Sequence, residues 1–177
     1  MKIALKQILK IAFAYSVTVI IFTFFLIAPI SMEYNKTLWL IVYSFAMFMF
    51  AFFTVTKTAY GIGKFEKLDE SSKPFGAKGF VYGFLAMVPY MLLGLIHLLV
   101  FDIDSLDLGI RIFHYIFRCS MGPMYFMINT LGYTWYAFAV AYLVIPVMSG
   151  ISYFMGLKGI TKLEIRSKHK DEEDFLK

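Results

Sequence analysis

The sequence predicts an all-α, polytopic membrane bundle of four transmembrane helices plus one interfacial amphipathic helix, with both termini cytoplasmic. Three observations carry that fold class. The first is composition. Of 177 residues, 60% are hydrophobic and only 16% charged, against about half and about a quarter in ordinary soluble domains. A small soluble domain keeps too much of its surface wet to hide that much apolar area. The same richness in Phe and Tyr excludes disorder, and a lone Cys119 excludes a disulfide scaffold. The second observation is a set of long windows without Asp, Glu, Lys or Arg. The third is the lopsided placement of the basic residues between those windows.

A helix needs roughly 20 apolar residues to cross about 30 Å of hydrocarbon. The uncharged windows place spans at about 11–32, 37–58 and 79–101. The last uncharged window, 119–157, is too long for one straight helix and too short for a comfortable hairpin of two. Gly122-Pro123 interrupts it, and Asn129, Thr130 and Gly132 form a polar, flexible stretch. The fourth span is therefore expected at about 133–156, after a connector or shallow re-entrant segment. The three N-terminal lysines and apolar run read as an uncleaved first span, since the run exceeds a signal-peptide core and no A-x-A site follows.

Residues 108–118 carry the interfacial helix. On a helical wheel Arg111, His114, Tyr115 and Arg118 share one arc, while Ile110, Ile112, Phe113, Ile116 and Phe117 fill the other. Asp107 is placed to cap it and to pair with Arg111 one turn on. Such a helix is expected to lie flat at the interface. A fifth span with inward arginines is disfavoured by the cost of charge at the bilayer centre.

With four spans, both termini and the 57–78 loop share one side. That side holds fourteen of the 17 Lys and Arg residues and leaves Lys36, Arg111 and Arg118 on the other, which orients the termini to the cytoplasm. Residues 1–160 then form one integral membrane domain and 161–177 a charged cytoplasmic tail. Trp39 and Trp135 at the outer entries, with Tyr60 and Tyr153 at the inner edges, make aromatic belts.

Candidate functional residues are few. His97 is the strongly polar titratable side chain within a span, four residues from its outer end, and intramembrane ionisable groups are functional candidates. Interfacial water reaching it is the plainer reading. Arg111, His114 and Arg118 can grip a phosphate or lipid headgroup, although bulk headgroup contact explains them equally simply. Pro89 and Pro146, each followed by a glycine, mark helix kinks and, on a bolder reading, a substrate site. Gly79-x-x-x-Gly83 suits close helix packing, within the chain or between copies. Asp102, Asp104 and Asp107 lack EF-hand spacing and read as capping and solubility. The expected spans contain no carboxylate, which argues against a self-contained proton-driven carrier. Tyr60-Gly61-Ile62-Gly63-Lys64 and Tyr153 through Gly159 form a faint internal echo, read as two helices ending at one lipid surface rather than as tandem hairpins.

Two stretches carry a resemblance: Lys78-Gly79-Phe80-Val81-Tyr82-Gly83 through Pro89, and Leu143-Val144-Ile145-Pro146 through Gly150 to Gly159. Together they resemble a group of uncharacterised small four-span membrane proteins of low-GC Gram-positive bacteria. The resemblance implies a bacterial inner membrane and carries no activity. No enzyme signature, Walker motif or metal-ligand spacing is present in the sequence. The expected function is a non-enzymatic accessory or scaffold subunit that binds membrane lipids or a larger membrane partner. No cofactor, metal or nucleic acid is expected; self-association is. The alternatives are a substrate-binding or channel-forming component of a transporter and, third, a lipid-modifying enzyme using His114.

Overall fold

The computed structural model describes residues 2–26, 36–68, 75–100 and 108–159. Its elements are α1 (Lys2–Phe25), α2 (Lys36–Leu68), α3 (Lys78–Val100), α4 (Leu108–Ser120), a 3-10 turn (Gly122–Met124), α5 (Tyr125–Thr130) and α6 (Trp135–Lys158). Four of them, α1, α2, α3 and α6, are long and apolar enough to cross a membrane. They run up and down. The start of α1, the end of α2, the start of α3 and the end of α6 gather at one end, where Lys6, Lys10, Lys57, Lys64, Lys67 and Lys158 are exposed. We call this the lysine-rich end and the opposite one the histidine end. Asp102, Asp104, Asp107, residues 27–32 and the 161–177 tail lie outside the described residues.

The second helix is longer than hydropathy implies. Apolarity stops at Lys57, but α2 continues to Leu68, about 50 Å in all at 1.5 Å per residue. A helix does not need apolar residues to continue; it needs a face to pack. Ser44, Met47, Ala51, Val55, Ala59, Ile62 and Glu66 are buried at three- and four-residue spacing, one unbroken stripe running into the lysine-rich end.

That stripe packs on α6, which lies between α2 and α3. At the lysine-rich end α2 and α6 cross reciprocally. A methyl group added at Gly63 would strike the Tyr153 carbonyl, and one added at Gly156 would strike the Tyr60 carbonyl. The shared Tyr-x-x-Gly pattern is thus a helix crossing, each glycine admitting the other's backbone. On its far side α6 meets α3 through Gly79 and Gly83, which leave room only for Tyr153, Ser149 and Pro146. The Ser149 hydroxyl donates to the Gly79 carbonyl at 2.9 Å. This pair of glycines therefore serves packing within the chain. Pro146 is buried at that contact, whereas Pro89 is exposed.

Residues 119–128 enter the bundle. Cys119 through Met124 and Ile128 are buried. The Tyr15 hydroxyl donates to the Ser120 carbonyl at 3.0 Å. Ser44 donates to the Gly122 carbonyl at 2.7 Å and accepts from the Phe126 amide at 3.0 Å. Tyr15 lies about 15 Å below the end of α1 and Ser44 about 12 Å below the start of α2, by helix rise. The segment thus enters the helix bundle, where side chains of α1 and α2 satisfy its backbone. Accordingly α4 packs beside α3, with Ile112, Ile116 and Arg118 exposed and Phe117, Cys119 and Ser120 buried.

Candidate functional site

Two polar sites stand at opposite ends of the bundle. At the histidine end, α4 brings His114 to His97 of α3, with Nδ1 and Nε2 3.3 Å apart. One ring donates and the other accepts, so at least one nitrogen of the contact carries no proton. The Phe117 ring lies 4.0 Å from the His97 ring, tilted by 53°. His97 and Phe117, though not His114, line a cavity of about 560 Å³, within the size range of small-molecule and lipid pockets. Phe22, Leu26, Leu40 and Phe138 give it an apolar body. Arg118, His97, Tyr115, Tyr125 and Tyr133 add polar heads to its wall.

The rim is strained. Tyr133 has a positive φ of 56° directly after Gly132 at 80°, a left-handed turn that a bulky residue adopts only when its surroundings hold it there. Desolvation first, and then its hydrogen bond to Tyr125, push the Tyr133 phenol above its ordinary value. It therefore stays a neutral hydrogen-bond donor. Contact with Cys119, one turn on, likewise raises Tyr115. Of the residues singled out in the sequence, the structure brings together His97, His114 and Arg118. Arg111 is exposed on α4 and does not line the cavity, nor do His114, Pro89 and Pro146.

At the lysine-rich end is a site that sequence reasoning missed. Glu66 is only 2% exposed. Its Oε2 accepts from the Tyr153 hydroxyl at 2.7 Å and pairs with the Lys78 Nζ at 3.2 Å. Its Oε1 accepts from the Tyr82 hydroxyl at 3.0 Å. One carboxylate thus ties α2 to both α3 and α6. The expectation of carboxylate-free spans is corrected here: the spanning-length helix runs to Leu68 and carries Glu66 with it. The signal was present in the sequence, since Glu66 follows Ala59 and Ile62 on one helical face.

Among the described residues, Gln7 Oε1 and the Tyr60 hydroxyl are buried without a hydrogen-bond partner. Ser16 of α1 meets Tyr90 of α3 at 2.7 Å, so about two turns toward the lysine-rich end along both helices Gln7 comes level with Tyr82. Each such orphan costs about 1–3 kcal/mol. Among the described residues no three metal-ligating side chains converge. No known family model, curated protein or solved structure matches the chain.

Proposed function

We propose that this chain is a non-enzymatic accessory protein of the bacterial inner membrane that binds an anionic amphiphile, in the first instance a phospholipid, in the histidine-end cavity. Both termini and the lysine-rich end face the cytoplasm in this reading, which the excess of basic residues at that end supports. The observation that carries the proposal is the composition of the cavity wall. An apolar body of about 560 Å³ with Arg118 and His97 on its wall fits an acyl chain with an anionic head. Arg118 supplies the charge, His97 and the tyrosine hydroxyls orient the head, and the aromatic walls exclude water from the chain. Arg111, outside the cavity, contacts bulk headgroups instead.

The test is native mass spectrometry of the protein released from nanodiscs of mixed anionic and zwitterionic lipid. A retained anionic lipid is expected, with retention falling about tenfold or more in Arg118→Ala, the scale of one charge-assisted hydrogen bond. Arg111→Ala is expected to bind as the parent does. Equal losses in both variants would reduce the contacts to bulk headgroup attraction and end the proposal.

A further inference from the structure

A second cavity, of about 550 Å³, lies between α2 and α6 toward the lysine-rich end. Every residue lining it belongs to one of those two helices. It begins beside the Gly63–Gly156 crossing, where Tyr60 of α2 and Met155 of α6 line it. From there it runs along both helices to Phe53 and Met148, a groove about 10 Å long by helix rise.

The wall has two characters. Phe53, Ile151 and Met155 are exposed on the outside of the bundle, so the groove faces acyl chains wherever these helices span a bilayer. Polar groups gather toward the crossing. Lys57 and Tyr60 stand about one turn apart on α2, neighbours on its surface. Lys57 is exposed and has no ion-pair partner among the described residues. The one described carboxylate, Glu66, is buried and held by Lys78. The Tyr60 hydroxyl is buried and likewise has no partner among the described residues.

These features select one kind of occupant. Hydrocarbon alone fills an apolar groove, but it offers no acceptor to a phenol and no counter-charge to a lysine. Both are present at one level of a bilayer, where the acyl chains join their ester and phosphate oxygens. A lysine there lays its stem along the apolar layer and reaches the headgroups with its ammonium. Lys6, Lys10, Lys64 and Lys67 are exposed at the same end and add to its attraction for anionic lipid. Lys158 sits over the Phe154 ring at 4.5 Å and does not line the groove, which leaves Lys57 as the cation on its wall.

We propose that this groove holds an anionic phospholipid of the leaflet at the lysine-rich end. Lys57 pairs with the phosphate. The Tyr60 ring turns its hydroxyl outward to donate to a phosphate or ester oxygen. One acyl chain lies between Phe53 and Ile151 and points toward Met148. The groove shares no lining residue with the histidine-end cavity, and its occupancy does not rest on lipid binding there.

The experiment uses the full chain in phosphatidylcholine nanodiscs doped with phosphatidylglycerol or phosphatidylcholine that carries a photoreactive acyl chain. Adducts are mapped by peptide mass spectrometry. Phosphatidylglycerol adducts are expected to concentrate on the peptides holding Phe53 and Ile151 and to exceed those of phosphatidylcholine there. Lys57→Gln is expected to lower them about fivefold, the scale of one lysine beside an anionic lipid surface. Tyr60→Phe is expected to lower them about threefold or more through the lost hydrogen bond. Lys10→Gln, on α1 and off the groove, is expected to label as the parent does. Adducts spread evenly over the outer faces of all four helices overturn the site and leave annular lipid only. Equal labelling by the two probes, or equal losses in Lys57→Gln and Lys10→Gln, also overturns it. Cross-linked dimers with no lipid adduct in the groove overturn it in favour of a second copy of the chain. If Lys57→Gln does not fold, Tyr60→Phe decides: parental labelling refutes the site, and weaker labelling with unchanged helix content upholds it.

Discussion

Ser44 shows how much one hydroxyl can do inside the bundle. It donates to the Gly122 carbonyl and accepts from the Phe126 amide, bonding two backbone groups where the 3-10 turn passes into α5. Ser44→Ala takes the acceptor from the Phe126 amide, while the Gly122 carbonyl keeps the Tyr125 amide, and a loss of about 1–3 kcal/mol is expected in reversible denaturant unfolding in mixed micelles. An unchanged midpoint would mean that water reaches the segment. Gln7 is the opposite case, since its buried Oε1 meets no donor among the described residues. Gln7→Leu removes an orphan acceptor, and a gain of up to about 1 kcal/mol is expected in the same assay. A loss instead would identify a bridging water or a bound polar group at Gln7.

At the scale of elements, the bundle is organised around α6 and depends on glycine where helices touch backbone to backbone. Gly63 and Gly156 each face the other helix's tyrosine carbonyl. Gly63→Ala forces the two helices apart and is expected to cost about 1–3 kcal/mol, the range for overpacking, whereas Gly61→Ala, with open space around it, should be stabilising or neutral. Thermal unfolding of the two variants side by side separates crossing geometry from helix propensity. The reciprocal contact also gives the echo between α2 and α6 a structural basis at those two positions. The chain's own helices occupy the faces of Gly79 and Gly83, so these glycines are not free to join two copies.

At the scale of the molecule, charge and cavity are segregated. Lysines crowd one end, and the histidine pair and cavity occupy the other. The orientation proposed above predicts that a cysteine replacing exposed Lys64 reacts with an impermeant maleimide only after the cells are opened. One replacing exposed Leu131 should react in intact cells. The reverse pattern would invert the protein and move the cavity to the cytoplasmic leaflet.

Much of this is legible in the sequence. Spanning helices satisfy their own backbones, so four apolar stretches are enough to determine four helices, and the distribution of lysines is enough to distinguish the two ends. His97, His114 and Arg118 were also legible as candidates, because ionisable groups are conspicuous in apolar surroundings. What remained hidden depends on contacts between distant residues. Hydropathy ends a span at its first charge, so it stopped α2 near Thr58 and missed Glu66, which the packing of α2 on α6 carries into the interior. The depth of residues 119–128 depends on Tyr15 and Ser44, more than 70 positions away, which no local pattern records. Local periodicity determines which residues form helices; only tertiary packing decides which polar groups those helices bury together, because burial is a property of neighbours and not of spacing.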